Sequence, residues 1–374
     1  MSFKKLGSFL LIVLLVGMLA VSGSAGGSVQ YNEAFAVAQQ HVLDNAWGKL
    51  EQWDGSHIGG GVPLYNVEGD LTGWGFNVIK NSEEIGYAIV STRSEPFQVV
   101  EYGAGEGLPF DRIIHIAKAE VSNFHGLSVP ANYKFIYSMA LSYGVEFRPP
   151  GTEPVYWLNR VGTISKEQFP SIRNAAFQGS ALALEPIVAS SAEEYYLPNV
   201  PNYQWYRGCS PTASANQLGY LYYQYGHTNL PLGNTLIDSL ANAMGTGANG
   251  ATPRANIGPG MVSVLSSYGY SGYWSQLEAR GVSYSTFGRY KSEILASRTI
   301  HCILDSDSDD WYYSTQPGTA QAHSVTGMGY RIDTDGAQWI VVHDTWPGPT
   351  DVYLLYGSVE MGIPQWVYLG GDLH

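Results

Sequence analysis

The chain has 374 residues, of which 45% are hydrophobic and 14% charged, with 27 tyrosines and a formal net charge of −13. That length allows two domains, or one domain with a large appended segment, and the composition excludes a disordered chain. No basic stripe interrupts the acidic balance, which excludes nucleic acid as a partner and leaves solubility as the role of the charge.

Lys4 and Lys5 precede an apolar run from Leu6 to Val21, and the small residues Gly23-Ser24-Ala25 follow. This pattern predicts a signal peptide at 1–25, cleaved after Ala25, and a secreted product. The run is short for a bilayer span, and its retention would leave the protein at the cell surface. No other stretch is long and apolar enough to cross a membrane, so no membrane partner is expected after cleavage.

Residues 26–190 read as a separate unit. Ala34, Phe35, Val37, Ala38 and Val42 share one side of a helix predicted over Glu33–Leu43. Strands follow at Gly73–Ile79, Gly86–Ser91 and Gln98–Tyr102, with Asn81-Ser82-Glu83-Glu84 and Ser94-Glu95-Pro96 between them. Arg112–Phe124 is a second helix, and Tyr133–Tyr143 and Val155–Ile164 are ordered segments whose type the pattern leaves open. Strands beside helices make a small α+β unit. His41, His57, His115 and His125 lack nearby carboxylate or cysteine partners, which fits structural or surface roles. Ala175 to Ser191, rich in small residues, reads as a linker and processing region.

Residues 191–374 carry the chemistry. Arg207-Gly208-Cys209-Ser210-Pro211-Thr212 leads into a helix through Tyr225, with Leu218, Leu221, Tyr222 and Tyr225 at helical spacing and Gly226 as its stop. Pro211 suits a first helical turn. A cysteine at a helix start meets unpaired N–H groups and the positive end of the dipole, which favour the nucleophilic thiolate. Further helices are marked by Leu236, Ile237, Leu240, Ala241 and Met244, with Asn234 as cap, then by Met261 to Tyr268, and then by Thr286 to Ala296. Strands are predicted at 299–304, 322–330, 338–344, 352–356 and 365–369. Cys302 shares a strand side with Ile300 and Leu304 and reads as a small buried hydrophobe, although a disulfide to Cys209 is open to a secreted chain.

A thiolate needs a base, and the base needs an orienting group. His323 opens one predicted strand and Asp344 closes the next. Pairing Tyr330 with Ala337 sets position 323 directly across from 344, so that one ring nitrogen bonds Asp344 and the other faces Cys209. His343 adjoins Asp344 but alternation sends it to the opposite face, and His301 reads as structural. Trp346 is placed to shield a His–Asp bond. The acidic run Asp305-Ser306-Asp307-Ser308-Asp309-Asp310 lacks the glycine and glutamate of an EF-hand, with Asp310 and Gln316 at those positions. It reads as a solvated loop, with calcium binding of another kind left open, and no cofactor or metal is expected.

Pro201-Asn202-Tyr203-Gln204, Gly208-Cys209-Ser210-Pro211-Thr212-Ala213, the His323 strand and His343-Asp344-Thr345-Trp346 together resemble the C39-like cysteine peptidases of the papain-like superfamily. The resemblance implies a catalytic set of Cys209 as nucleophile, His323 as base, Asp344 as the group orienting it and Gln204 as an oxyanion donor. It implies an α+β fold, a helical lobe against an antiparallel β-lobe with the cysteine helix at the seam, over residues 191–374. The familiar pattern has glycine after the cysteine and proline after the aspartate, where this chain has Ser210 and Thr345. The run from Gly73 to Ser91 weakly resembles propeptides of the streptopain type, which implies that residues 26–190 are an inhibitory prodomain and linker. A permanent accessory domain is the alternative. The expected function is a secreted peptidase, made as a zymogen, acting on protein or peptide substrates. The alternatives are a catalytically silent extracellular binding or adhesion protein, and a cell-wall amidase or transpeptidase.

Overall fold

A computed structural model describes residues 25–125, 132–149, 151, 153–159, 162–164, 192–278, 286–305, 322–346, 351–362 and 364–371. It is a mixed α+β molecule built on one large sheet. The first part runs α1 (Ala25–Asp44), a 3-10 turn (Gly48–Trp53), β1 (His57–Tyr65), β2 (Leu71–Lys80), β3 (Glu83–Ser91), β4 (Gln98–Ala104) and α2 (Phe110–His125). It ends with β5 (Tyr133–Met139), β6 (Ser142–Phe147), β7 (Val155–Leu158) and β8 (Gly162–Ile164). The predicted helices and the three predicted strands are all present. Strand β1 escapes pattern reading because Gly59, Gly60 and Gly61 erase its alternation. A Cβ at Gly61 would lie 2.6 Å from the Phe76 ring and 2.9 Å from Tyr31, so aromatic packing onto the strand requires the missing side chain.

The second part runs β9 (Glu193–Tyr196), α3 (Cys209–Tyr225), α4 (Asn234–Met244), α5 (Arg254–Ser267), β10 (Trp274–Glu278), α6 (Phe287–Leu295) and β11 (Ile300–Asp305). Then come β12 (Ala322–Ile332), β13 (Gln338–His343), β14 (Asp351–Leu355) and β15 (Gln365–Gly370). Leu236, Ile237, Leu240, Ala241 and Met244 are the buried side of α4, as their spacing predicts. Each such aliphatic side chain contributes roughly 2 kcal/mol by leaving water. Asn234 opens α4 without capping it; Gly233 holds the cap position, and its positive φ of 59° explains the glycine. Helix α5 begins at Arg254, well before the predicted Met261, and tolerates Pro259 inside it.

The sheet order is β10-β15-β11-β12-β13-β14-β4-β3-β2-β1-β5-β6-β7-β8, with β9 paired to β12. Strands of the second part pair antiparallel throughout. The two parts of the chain meet inside this sheet: Asp351, Val352, Tyr353 and Leu354 pair with Ala104, Gly103, Tyr102 and Glu101. One hydrophobic cluster runs across that seam and includes Trp53, Tyr102, Trp339 and Tyr353. A second lies between α3, α4, α5 and the sheet, with Leu218, Leu240, Met261 and Val367.

The predicted hairpin register is corrected. Tyr330 pairs with Ile340, not Ala337, and Thr326 pairs with His343, with a bulge between Gly327 and Gly329. Strand β12 continues to Ile332 because Arg331 is buried and held by Asp333 and Glu194. The turn therefore starts later than the Asp335-Gly336 pair suggests.

Candidate active site

Cys209 is the first residue of α3, behind Gly208 at φ 145° and ψ 158°. A Cβ on Gly208 would sit 2.4 Å from the Gly250 carbonyl oxygen, so the close approach of that loop requires glycine here. No side chain caps the helix start. The first helical N–H groups are thus available to an incoming oxygen. Thr212 closes the first turn, its N–H and Oγ1 donating to the Gly208 carbonyl at 3.2 and 2.7 Å.

Cys209 is half-buried, Cys302 fully buried, and both are free thiols. The disulfide left open by the sequence does not form. Burial pushes the Cys302 thiol far above its usual range, as befits an inert core residue.

His323 is fully buried near the start of β12 and pairs with Leu304 of β11. Its Nε2 lies 3.0 Å from the main-chain carbonyl oxygen of Asp344. A carbonyl oxygen only accepts, so Nε2 carries the proton and the lone pair of the neutral ring is on Nδ1. The Trp346 ring stacks on the imidazole, centroids 5.1 Å apart and planes 13° from parallel. The sequence places Asp344 beside His323, and the structure does so through the main chain. The corrected register carries the strand opposite position 323 on toward Trp346, and the Asp344 carboxylate accepts the Trp346 N–H at 2.9 Å. Burial raises the Asp344 carboxyl; the Trp346 N–H opposes this and the nearby Glu101 adds to it, leaving the group at about 7.

Helix, strand and turn are tied by small polar side chains that sequence reading passed over. Ser210 and Ser324, each next to a predicted catalytic residue, share a hydroxyl hydrogen bond of 2.9 Å. Thr326 Oγ1 donates to the Ala213 carbonyl at 2.9 Å and accepts from Asn216 Nδ2 at 3.2 Å. Asn216 Oδ1 also receives the Tyr203 N–H at 2.8 Å. Trp205 N–H donates to the Thr345 carbonyl at 2.8 Å. Gln204 is thereby held between two anchored neighbours, with its own side chain exposed. A readable signal existed: Thr212 and Asn216 lie one helical turn apart, and Ser324 and Thr326 alternate onto one strand face.

Thr345 is buried at φ 68°. The left-handed region strains a β-branched residue and forbids proline, so the familiar proline after the aspartate has no place in this turn. The rival histidines point elsewhere. His343 Nδ1 meets the Pro201 carbonyl at 2.9 Å, and its Nε2 is 3.4 Å from Asp351. His301 Nδ1 meets Ser214 Oγ at 3.0 Å, and burial lowers its pKa to about 3. Asp305 pairs with Arg254 at 2.9 Å, while residues 306–310 of the acidic run lie outside the described residues.

This arrangement, a half-buried cysteine at a bare helix start beside a strand bearing an oriented histidine, agrees with the sequence comparison. Residues 197–371 match the Peptidase_C39 like family. This region is similar to that family. Among solved structures the chain is similar to the bromelain protease from Ananas comosus in complex with the E64 inhibitor, at 13% identity and a TM-score of 0.32, covering 48% of this chain and 99% of that one. No curated protein matches the chain. Gln204, Cys209, His323 and Asp344 all fall inside the C39-like region, whereas α1, α2 and β1 to β8 precede it.

Proposed function

We propose that the protein is a secreted cysteine peptidase that hydrolyses peptide bonds with Cys209 and His323, oriented by Asp344. The observation that carries the reading is the join between the nucleophile helix and the histidine strand. The Ser210–Ser324 bond fixes the residues next to Cys209 and His323, and the Asp344 carbonyl holds the imidazole in the tautomer whose lone pair is on Nδ1.

In this reaction Nδ1 of His323 takes the Sγ proton of Cys209, and the thiolate adds to the peptide carbonyl carbon. The oxyanion is met by the Cys209 N–H and the Gln204 side chain. Collapse breaks the C–N bond, and His323 returns the proton to the departing amine. Water then hydrolyses the thioester and regenerates the thiol. Asp344 is a positioning residue here. No resident metal is required.

The N-terminal apolar run and the small residues behind it support export, with a signal peptide at 1–25. The region after it restrains the peptidase region until the chain connecting the two is cut, in keeping with the weak likeness of Gly73 to Ser91 to streptopain-type propeptides. Hydrolysis of a casein-type protein substrate by the processed protein, abolished in Cys209→Ala and retained in Cys302→Ala, tests the proposal. Equal activity in Cys209→Ala would remove it and leave a binding protein on this scaffold.

A further inference from the structure

The seam between the two parts of the chain is packed as a continuous interior. Arg331 of β12 is fully buried, and its guanidinium is shared between both parts. Nε donates to Asp333 at 2.8 Å and Nη1 to Glu194 at 2.8 Å. Across the seam, Nη2 donates to the carbonyl and Oδ1 of Asn45, both at 3.1 Å, and Nη1 to the Trp47 carbonyl at 3.2 Å. The Trp47 ring lies 3.6 Å from the guanidinium carbon. Asn45 and Trp47 directly follow the C-terminus of α1, where carbonyls lack helical partners and the dipole favours a cation.

The neighbouring contacts repeat this logic. Tyr102 of β4 stacks on Tyr353 of β14 with ring centroids 4.4 Å apart, over the four-residue ladder between those strands. His41 of α1 packs on Trp339 at 5.4 Å. Lys49 binds Asp351 at 3.0 Å. The Ala140 N–H donates to the Glu360 carbonyl at 2.7 Å, and Ser91 bonds the Glu360 carboxylate. Removing residues 26–164 would turn β14 into a bare edge, expose Tyr353 and Trp339, and strip a buried cation of three of its five hydrogen bonds. Each of these is unfavourable by itself, and a bare edge invites aggregation.

We propose that residues 26–164 are a constitutive structural partner of residues 192–371 that stays bound when the connecting chain is cut. Processing within 165–191 then yields a two-chain protein, and cutting alone does not release a free peptidase domain. The inference rests on the seam and does not depend on the chemistry at Cys209.

The experiment uses the full chain carrying Cys209→Ala, with a recognition sequence for a site-specific protease inserted between residues 175 and 190. After complete cutting, size exclusion at low micromolar concentration should give one peak at the uncut volume, containing both pieces, which separate only in denaturant. Two peaks in native buffer would overturn the proposal. In the same cut protein, Arg331→Lys loses the forked donor set, and the pieces should dissociate at least about tenfold faster. An unchanged dissociation rate would overturn the part assigned to Arg331. Because peptide hydrolysis is not the readout, a failed complex and a failed peptidase reading are told apart.

Discussion

The contact between His323 and Asp344 runs through the main chain of the aspartate. Nε2 of the imidazole meets the Asp344 carbonyl, so replacing the carboxylate by an amide keeps that acceptor. The carboxylate itself is held at about 7, mainly by burial. Its folded-state affinity for a proton exceeds that of an unfolded aspartate. Below about pH 4 both states are protonated and the group contributes nothing to stability. From there to about pH 7 the unfolded chain sheds the proton that the folded chain keeps, so stability falls as pH rises, and the full cost stands above that. Asp344→Asn should therefore melt with the native protein at about pH 4 and above it at about pH 8, by an amount on the order of a few kcal/mol. A variant less stable at the higher pH would mean that the carboxylate is stabilised by a charge. Gln204→Ala should lower turnover by about a hundredfold or more with little change in melting temperature, since its side chain is exposed and one oxyanion donor has that weight.

At the scale of elements, the site is an alignment of α3 with β12 and of the Thr345 turn with the loop before Cys209. Thr345→Pro cannot adopt φ 68°, and should destabilise the protein by about 3 kcal/mol or more in thermal melts. Thr345→Gly accepts that conformation and should be much milder; equal damage from both would place the requirement in the side chain. The cysteine, the histidine and the helix between Cys209 and Tyr225 were legible from residue type and spacing. The hairpin register was not, because it depends on Arg331 being drawn into β12 by Glu194 and Trp47, partners distant in sequence. Strand β10 was missed for a related reason: Trp274 is exposed at the sheet edge and gives no buried alternation to read. The turn-forming Asp335-Gly336 pair was visible, but bulge position is decided by packing on the neighbouring strands.

For the whole molecule, the continuous sheet makes acid response a shared property of both parts. His41 sits at the seam against Tyr102 and Trp339, and burial, then Arg331, lowers its pKa to about 3. His301, beside α3, is lowered to about 3 by burial alone. Unfolding lets each take up a proton that the folded protein refuses, so stability present above about pH 6.5 is lost as pH falls toward 3. At about pH 5 the loss is roughly 2 kcal/mol for each. This opposes the Asp344 effect, which favours the folded state in acid. His41→Phe should shrink the fall in melting temperature between about pH 7 and pH 5; an unchanged fall would show that His41 is not held neutral at the seam.

The central claim is that His323 activates Cys209, and it is tested most directly by the rate at which iodoacetamide labels Cys209, located by peptide mass mapping, in the native protein and in His323→Ala. Labelling at Cys209 with Cys302 untouched, slowed by about tenfold or more when His323 is absent, is the result the account predicts. Labelling of Cys209 at the same rate in both proteins would contradict it.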